Sequence, residues 1–160
     1  MRIALACAPV KNKNLLFNLN QMKKAVEACR GKAELILFGE SVLQGFDSLC
    51  WDYKTDCEVA VSLTGEPIRQ MCSVARENQI AISFGFIQKT EDALYSSQIL
   101  IGAEGRLSIF FIGSALVGRN IPRVTNIIGR AAALGRFPIW GNSLQWGCAA
   151  TFGQMVVRKR

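Results

Sequence analysis

An α/β fold is predicted by three features of this chain of 160 residues. Two runs that are apolar after a charged first residue, residues 2–9 and 34–38, have the look of buried parallel strands. Between them lies a segment with apolar residues at helical spacing. Strand, helix and strand within so short a stretch imply a right-handed crossover and a parallel pair covered by helices.

The elements follow in order. Arg2 to Pro9 is a continuous apolar run closed by proline. Asn14 can cap the next segment, where Leu15, Leu16, Leu19, Met22, Val26 and Cys29 recur at three- and four-residue intervals. Lys23, Lys24 and Glu27 take the other side, and Gly31 stops the helix. Glu34 to Phe38 is the second strand, ending at Gly39-Glu40. Residues 41–64 are irregular and rich in Gly, Asp and aromatics. Gly65-Glu66-Pro67 opens a helix through Asn78, with Ile68, Met71, Cys72 and Ala75 on its inner stripe. Ile80 to Ile87 and Tyr95 to Gly102 read as strands, and Ala103-Glu104-Gly105 turns into a third over Arg106 to Phe111.

After Phe111 the pattern dissolves. Gly129, Gly135, Gly141, Gly147 and Gly153 fall every six residues, yet the apolar positions between them do not repeat, so a β-solenoid has no support. Ile127 to Leu134 has the pattern of a short helix. Charge breaks at the same point. Residues 1–111 hold twelve Lys/Arg and all twelve Asp/Glu, whereas residues 112–160 hold Arg119, Arg123, Arg130, Arg136, Arg158, Lys159 and Arg160 and no acid. The net charge of +7 therefore sits wholly in the tail. So abrupt a change points to two origins for the two segments.

Composition excludes several chemistries. There is no histidine, which removes Ser–His and Cys–His pairs and histidine zinc sites. The six cysteines (Cys7, Cys29, Cys50, Cys57, Cys72 and Cys148) have no CxxC spacing, so a reducing cytosol and no structural zinc are expected. Leu5-Ala6-Cys7-Ala8 superficially resembles a signal cleavage site, but the apolar stretch before it is too short. No segment approaches a membrane span, and no cofactor is expected.

Glu40 is the most informative position. It stands where a buried strand runs out, and ligands of open α/β sheets bind beyond the carboxyl ends of strands. A carboxylate partly desolvated there can have its pKa raised and act as a general base. The competing role is a capping or surface carboxylate.

The series RIALACAPV, an asparagine-led helix, AELILFGESVLQGF, TGEPIRQMCSVARENQIAISFGF and ALYSSQILIGAEGRL resembles the nitrilase, or carbon–nitrogen hydrolase, superfamily across residues 1–111. Glu40 and Gly45-Phe46 match the family phrase, while Gly39 stands where it usually has proline. The resemblance implies the N-terminal half of an α-β-β-α sandwich and a homo-oligomer. It also implies a Glu–Lys–Cys hydrolase of small amide, carbamoyl or nitrile substrates, with Glu40 as the general base. In such a set the glutamate takes the thiol proton, the thiolate attacks the substrate carbon, and the lysine stabilises the oxyanion. Trp51 and Asp52 fall where the family places part of its substrate wall, though a loop aromatic also serves as a lid packed on the core. Past Phe111 the lysine and cysteine are missing: the only lysine is Lys159, and Cys148 sits in GCAATFG, unlike the family's cysteine context.

Resemblance and composition thus fail together, as a frameshift would make them. Joining the third base of each codon to the first two of the next tests this. Residues 146–153 then permit L-C-G-D-L-W, since TGT-GCG-GCG-ACC-TTT-GG, read from its third base, gives TGC-GGC-GAC-CTT-TGG. Ile112 through Asn120 permits R-V-S-x-G-W-K-E-Y, and Val124 through Ala131 permits D-x-H-Y-R-E-G. These are the phrases the family uses around its lysine and cysteine, in the right order. Residues 112–160 are therefore expected to be an out-of-frame tail, and the chain a hydrolase by descent, truncated and inactive in this form.

Two other readings compete. Arg119, Arg123 and Arg130 with Phe137, Trp140 and Trp146 would make a basic-aromatic surface for single-stranded nucleic acid, although scattered arginines are more simply solvated charges. Cys50 and Cys57 would make a thiol or redox site, but nothing in the sequence activates them.

Overall fold

The structure, a computed structural model, describes residues 1–118 and the strands at 137–139, 142–147 and 156–158. Strand β1 (Ile3–Leu5), helix α1 (Leu15–Cys29) and strand β2 (Leu35–Leu37) form the expected crossover, with β1 and β2 parallel. A one-turn helix α2 (Tyr53–Asp56) and helix α3 (Glu66–Asn78) precede strand β3 (Ala81–Lys89), which lies parallel to β2. Strands β4 (Ala93–Ile101) and β5 (Leu107–Gly118) add on antiparallel, giving a sheet in the order β1-β2-β3-β4-β5. Strands β6 (Phe137–Ile139), β7 (Asn142–Gly147) and β8 (Val156–Arg158) form a separate antiparallel sheet.

Local chemistry explains the helix ends. The Asn14 side chain accepts from the Phe17 N–H at 3.0 Å, satisfying one orphan donor of α1. Gly31, at φ +72°, turns the chain away from that helix. Pro67 sits in the first turn of α3, where its missing N–H costs nothing.

Leu19, Met22 and Val26 of α1 and Ile68, Met71 and Ala75 of α3 bury themselves against Ile36, Ile82, Phe84, Phe86, Ile99 and Ile101. Each of these side chains except the smaller Ala75 contributes about 1.5–3 kcal/mol of burial. Both helices therefore cover one face of the sheet. Alternation and register put Ile3, Leu5, Leu37, Ser83, Gly85, Ser96 and Gln98 on the other face. There Ile3 is 47% and Leu5 82% exposed.

The first two strands are shorter than their apolar runs. The β1–β2 ladder ends at Leu5 opposite Leu37, after which Ala6 N–H gives one last bond to the Leu37 carbonyl. In contrast, β5 does not stop at Phe111. It continues to Gly118 because the Ala93–Ser97 end of β4 still needs partners, with register shifts on the way. A boundary drawn between residues 111 and 112 falls inside this strand. The expected helix at Ile127–Leu134 lies outside the described residues, as do Arg119, Arg123, Arg130, Arg136, Trp140, Cys148, Lys159 and Arg160.

Glu34 fastens the open edge beside β1. It accepts from the Arg2 side chain at 2.9 Å and the Arg2 N–H at 2.6 Å. These bonds hold its carboxyl below the ordinary value of 4.5. A depressed carboxylate contributes stability that is complete above the unfolded-state pKa and is lost as pH falls through the folded one. Glu34→Gln is therefore expected to lower the urea midpoint slightly at neutral pH and to match the parent in acid. Urea titrations of both chains at the two pH values check this.

Candidate functional site

Glu40 stands three residues beyond the end of β2, past the carboxyl ends of the parallel strands β1 and β2 and beside Gly85 within β3. Phe38 N–H still donates to the Ser83 carbonyl, and Gly85 N–H donates to the Gly39 carbonyl at 3.2 Å, so β3 carries the backbone up to the glutamate. Glu40 itself is exposed. The expected desolvation is thus not supplied by the described residues. Its carboxylate is held instead: Ser96 Oγ of β4 donates to Oε1 at 2.9 Å.

A strand separates these two residues, and Gly85 lets them meet. A Cβ at Gly85 would fall 2.8 Å from Glu40 Cα, 2.9 Å from Gln98 Oε1 and 3.0 Å from Ser41 N. Only glycine permits so close an approach of β3 to the segment carrying Glu40.

The loop after Glu40 is pinned by buried polar side chains. Gln44, fully buried, donates from Nε2 to the Ile87 carbonyl at 3.0 Å and accepts from the Ile87 N–H at 2.9 Å. Asn18, also buried, donates to the carbonyls of Lys11 and Leu43. Ser48 Oγ donates to the Gln44 carbonyl at 2.5 Å. The Gln44–Ile87 bonds and the Asn18–Leu43 bond tie residues 43–48 to β3 and α1, and the Ser48 bond closes the loop on itself.

Gly45 and Gly39 differ sharply. Gly45 has φ +98°, and a Cβ there would lie 2.7 Å from Asn12 Cα. Gly39 has open space around its missing Cβ. The glycine that replaces the expected proline is therefore not required by sterics.

The other sequence candidates separate by role. Trp51 is 51% exposed at φ +66°, so it is not a lid packed on the core. Asp52 caps α2: its Oδ1 accepts from the Thr55 N–H and hydroxyl, and these bonds hold its carboxyl below the usual range. Cys50 donates from Sγ to Asp56 Oδ1 at 3.1 Å, and its N–H donates to the same oxygen at 2.8 Å. Asp56 is buried and thereby braces this loop. Among the described residues no group of three or more Cys, Asp and Glu side chains is placed to hold a metal. No helix among them is long and apolar enough to cross a membrane.

Ser96, Gly85 and Gln44 are site residues that sequence reasoning missed. Gly85 carried a signal, a glycine inside the apolar run Ile82–Ile87. Ser96 and Gln44 carried none beyond being polar.

The carbon–nitrogen hydrolase family profile matches residues 2–120. The chain belongs to this family. An arylacetonitrilase from Hypocrea virens is 29% identical over 90 residues, which is 52% of this chain and 27% of the relative. An (R)-stereoselective amidase from a Pseudomonas species is 26% identical over 105 residues, or 66% of this chain and 37% of that protein. The crystal structure of an amidase from a Nesterenkonia species superposes with a TM-score of 0.58 at 16% identity, covering 82% of this chain and 53% of that one. A second structure of a Nesterenkonia amidase gives 0.61 at 17% identity, covering 98% and 55%. The likeness establishes a partial nitrilase-like α/β fold, and the chain spans about half the length of these solved amidases.

The two glycines generate opposite expectations. Gly39→Ala should raise stability by about 0.4–1 kcal/mol by restricting the unfolded chain. Gly45→Ala should lower it by more than about 1 kcal/mol through backbone strain and the Asn12 contact. Urea unfolding of both variants checks the pair.

Proposed function

We propose that this chain carries the general-base half of a carbon–nitrogen hydrolase site acting on a small amide, carbamoyl or nitrile substrate, with Glu40 as the base. The observation that supports it most is the place of Glu40: at the carboxyl end of a parallel strand, in a family-matched segment, with its carboxylate held by Ser96. The relatives' printed activities, nitrilase and amidase, agree with that substrate class.

In the complete reaction on an amide Glu40 accepts the proton of a cysteine thiol, and the sulfur forms a bond to the carbonyl carbon. A lysine ammonium stabilises the negative oxygen. The amine leaves with a proton returned from Glu40, and water, deprotonated in turn, releases the acyl group as acid. The cysteine and lysine belong to residues 112–160, which we read as an out-of-frame tail, so the chain is inactive in this form. Cys148 shares only one base with the displaced cysteine codon and does not inherit its role. The reading further places the protein in the cytoplasm, as a homo-oligomer in its in-frame form.

Resequencing the gene from the Phe110 codon through the stop codon tests the tail. The expected alternative frame encodes GWKEY and LCGDLW. Stops or other residues at those codons would make the tail genuine and make salt-dependent binding of single-stranded nucleic acid the next measurement.

The restored chain tests Glu40. It should hydrolyse simple amides, and Glu40→Gln should reduce kcat by about a hundredfold or more. Equal rates in parent and variant would overturn the role of Glu40.

A further inference from the structure

We propose that Ser96 is a positioning residue that decides which oxygen of Glu40 is available to a proton. This rests on the reading of Glu40 as the base. Its hydroxyl donates to Oε1 at 2.9 Å, and among the described residues Oε2 has no hydrogen-bond partner. A carboxylate that must take a proton from a fixed direction works best with one oxygen occupied and the other presented. A neutral hydroxyl does this without adding a charge.

The sheet builds this arrangement from three fixed points. Ser96 lies directly opposite Ile87 in the β3–β4 register. Ile87 is the residue whose backbone N–H and carbonyl are both taken by the Gln44 amide. The loop that follows Glu40 is thus anchored on one member of a cross-strand pair, and the Glu40 carboxylate on the other. Gly85, two residues before Ile87, keeps the Glu40 backbone close enough for the second bond to form. A surface serine meeting a glutamate by accident would not have its partner's backbone fixed from two sides.

The test uses the chain as it stands, with 13C at the glutamate side-chain carboxyls and the Glu40 resonance identified by its loss in Glu40→Gln. In Ser96→Ala the Glu40 carboxyl resonance is expected to shift, while amides remote from residues 39–41, 85–88 and 95–97 stay in place. Ser96→Thr, which keeps the hydroxyl, is expected to return the resonance toward its parent position. A resonance that does not move in Ser96→Ala, or that Ser96→Thr fails to restore in a folded chain, overturns the proposal.

In the restored chain Ser96→Ala should lower kcat about tenfold with little change in KM, and Ser96→Thr should recover it. A KM change with kcat preserved would also overturn the positioning role. If instead Glu40→Gln leaves the restored chain's rate unchanged, the base reading fails, while the carboxyl resonance still reports whether Ser96 holds Glu40.

Discussion

The close approach of β3 to the backbone around Glu40 is the constraint on which the candidate site depends. Parallel strands normally sit about 4.8 Å apart and diverge once their ladder ends. Here the ladder between β2 and β3 ends at Leu37 opposite Ser83, yet contact continues for three more residues through Phe38 N–H and the Gly39 carbonyl. Gly85 makes this possible by having no side chain where Glu40 Cα and Ser41 N lie. The glutamate is therefore placed by backbone geometry before any side chain acts on it.

The loop beyond Glu40 needs a different kind of restraint, because it has almost no regular structure. Buried amide and hydroxyl groups supply it. Gln44 satisfies both backbone groups of Ile87, and Asn18 bridges the Lys11 and Leu43 carbonyls across the start of α1. Such bonds contribute modestly when made and cost much more when one partner is left buried and alone. That asymmetry makes them specifying: an alternative loop path would strand Gln44 or Asn18 without partners. It explains how a positive φ at Ser41 and another at Gly45 are tolerated within a few residues of each other.

The parts of the fold set by periodicity were legible in the sequence. The α1 stripe, its Asn14 cap and the parallel pairing of β1 with β2 follow from residue spacing alone. Strand lengths were not, because they depend on where a neighbour's ladder ends, as at Leu5 and at the far end of β5. Glu40 was legible by position and by resemblance. Ser96 was not, since its value arises from lying two strands away in space and 56 residues away in sequence. The exposure of Glu40 was not legible for a related reason: burial is decided by what covers a sheet face, and spacing within one strand says nothing of that. Asp52, singled out beside the site, has its carboxylate engaged in capping α2, which the sequence reading did not foresee.

The exposed carboxylate and the exposed apolar residues are two aspects of one surface. Glu40, Ser96 and Gln98 share a sheet face with Ile3, Leu5 and Leu37, and both helices pack on the opposite face. A sheet hydrophobic on both sides is stable only between two layers. A layer packed over this face would remove Leu5 from water and at the same time strip solvent from Glu40. Folding energy and chemistry would then come from the same packing event. Without such a layer Glu40 is held by Ser96 but remains exposed to water. The position of Glu40 is thus carried by this chain's own residues, whereas burial of its carboxylate is not provided by the described ones.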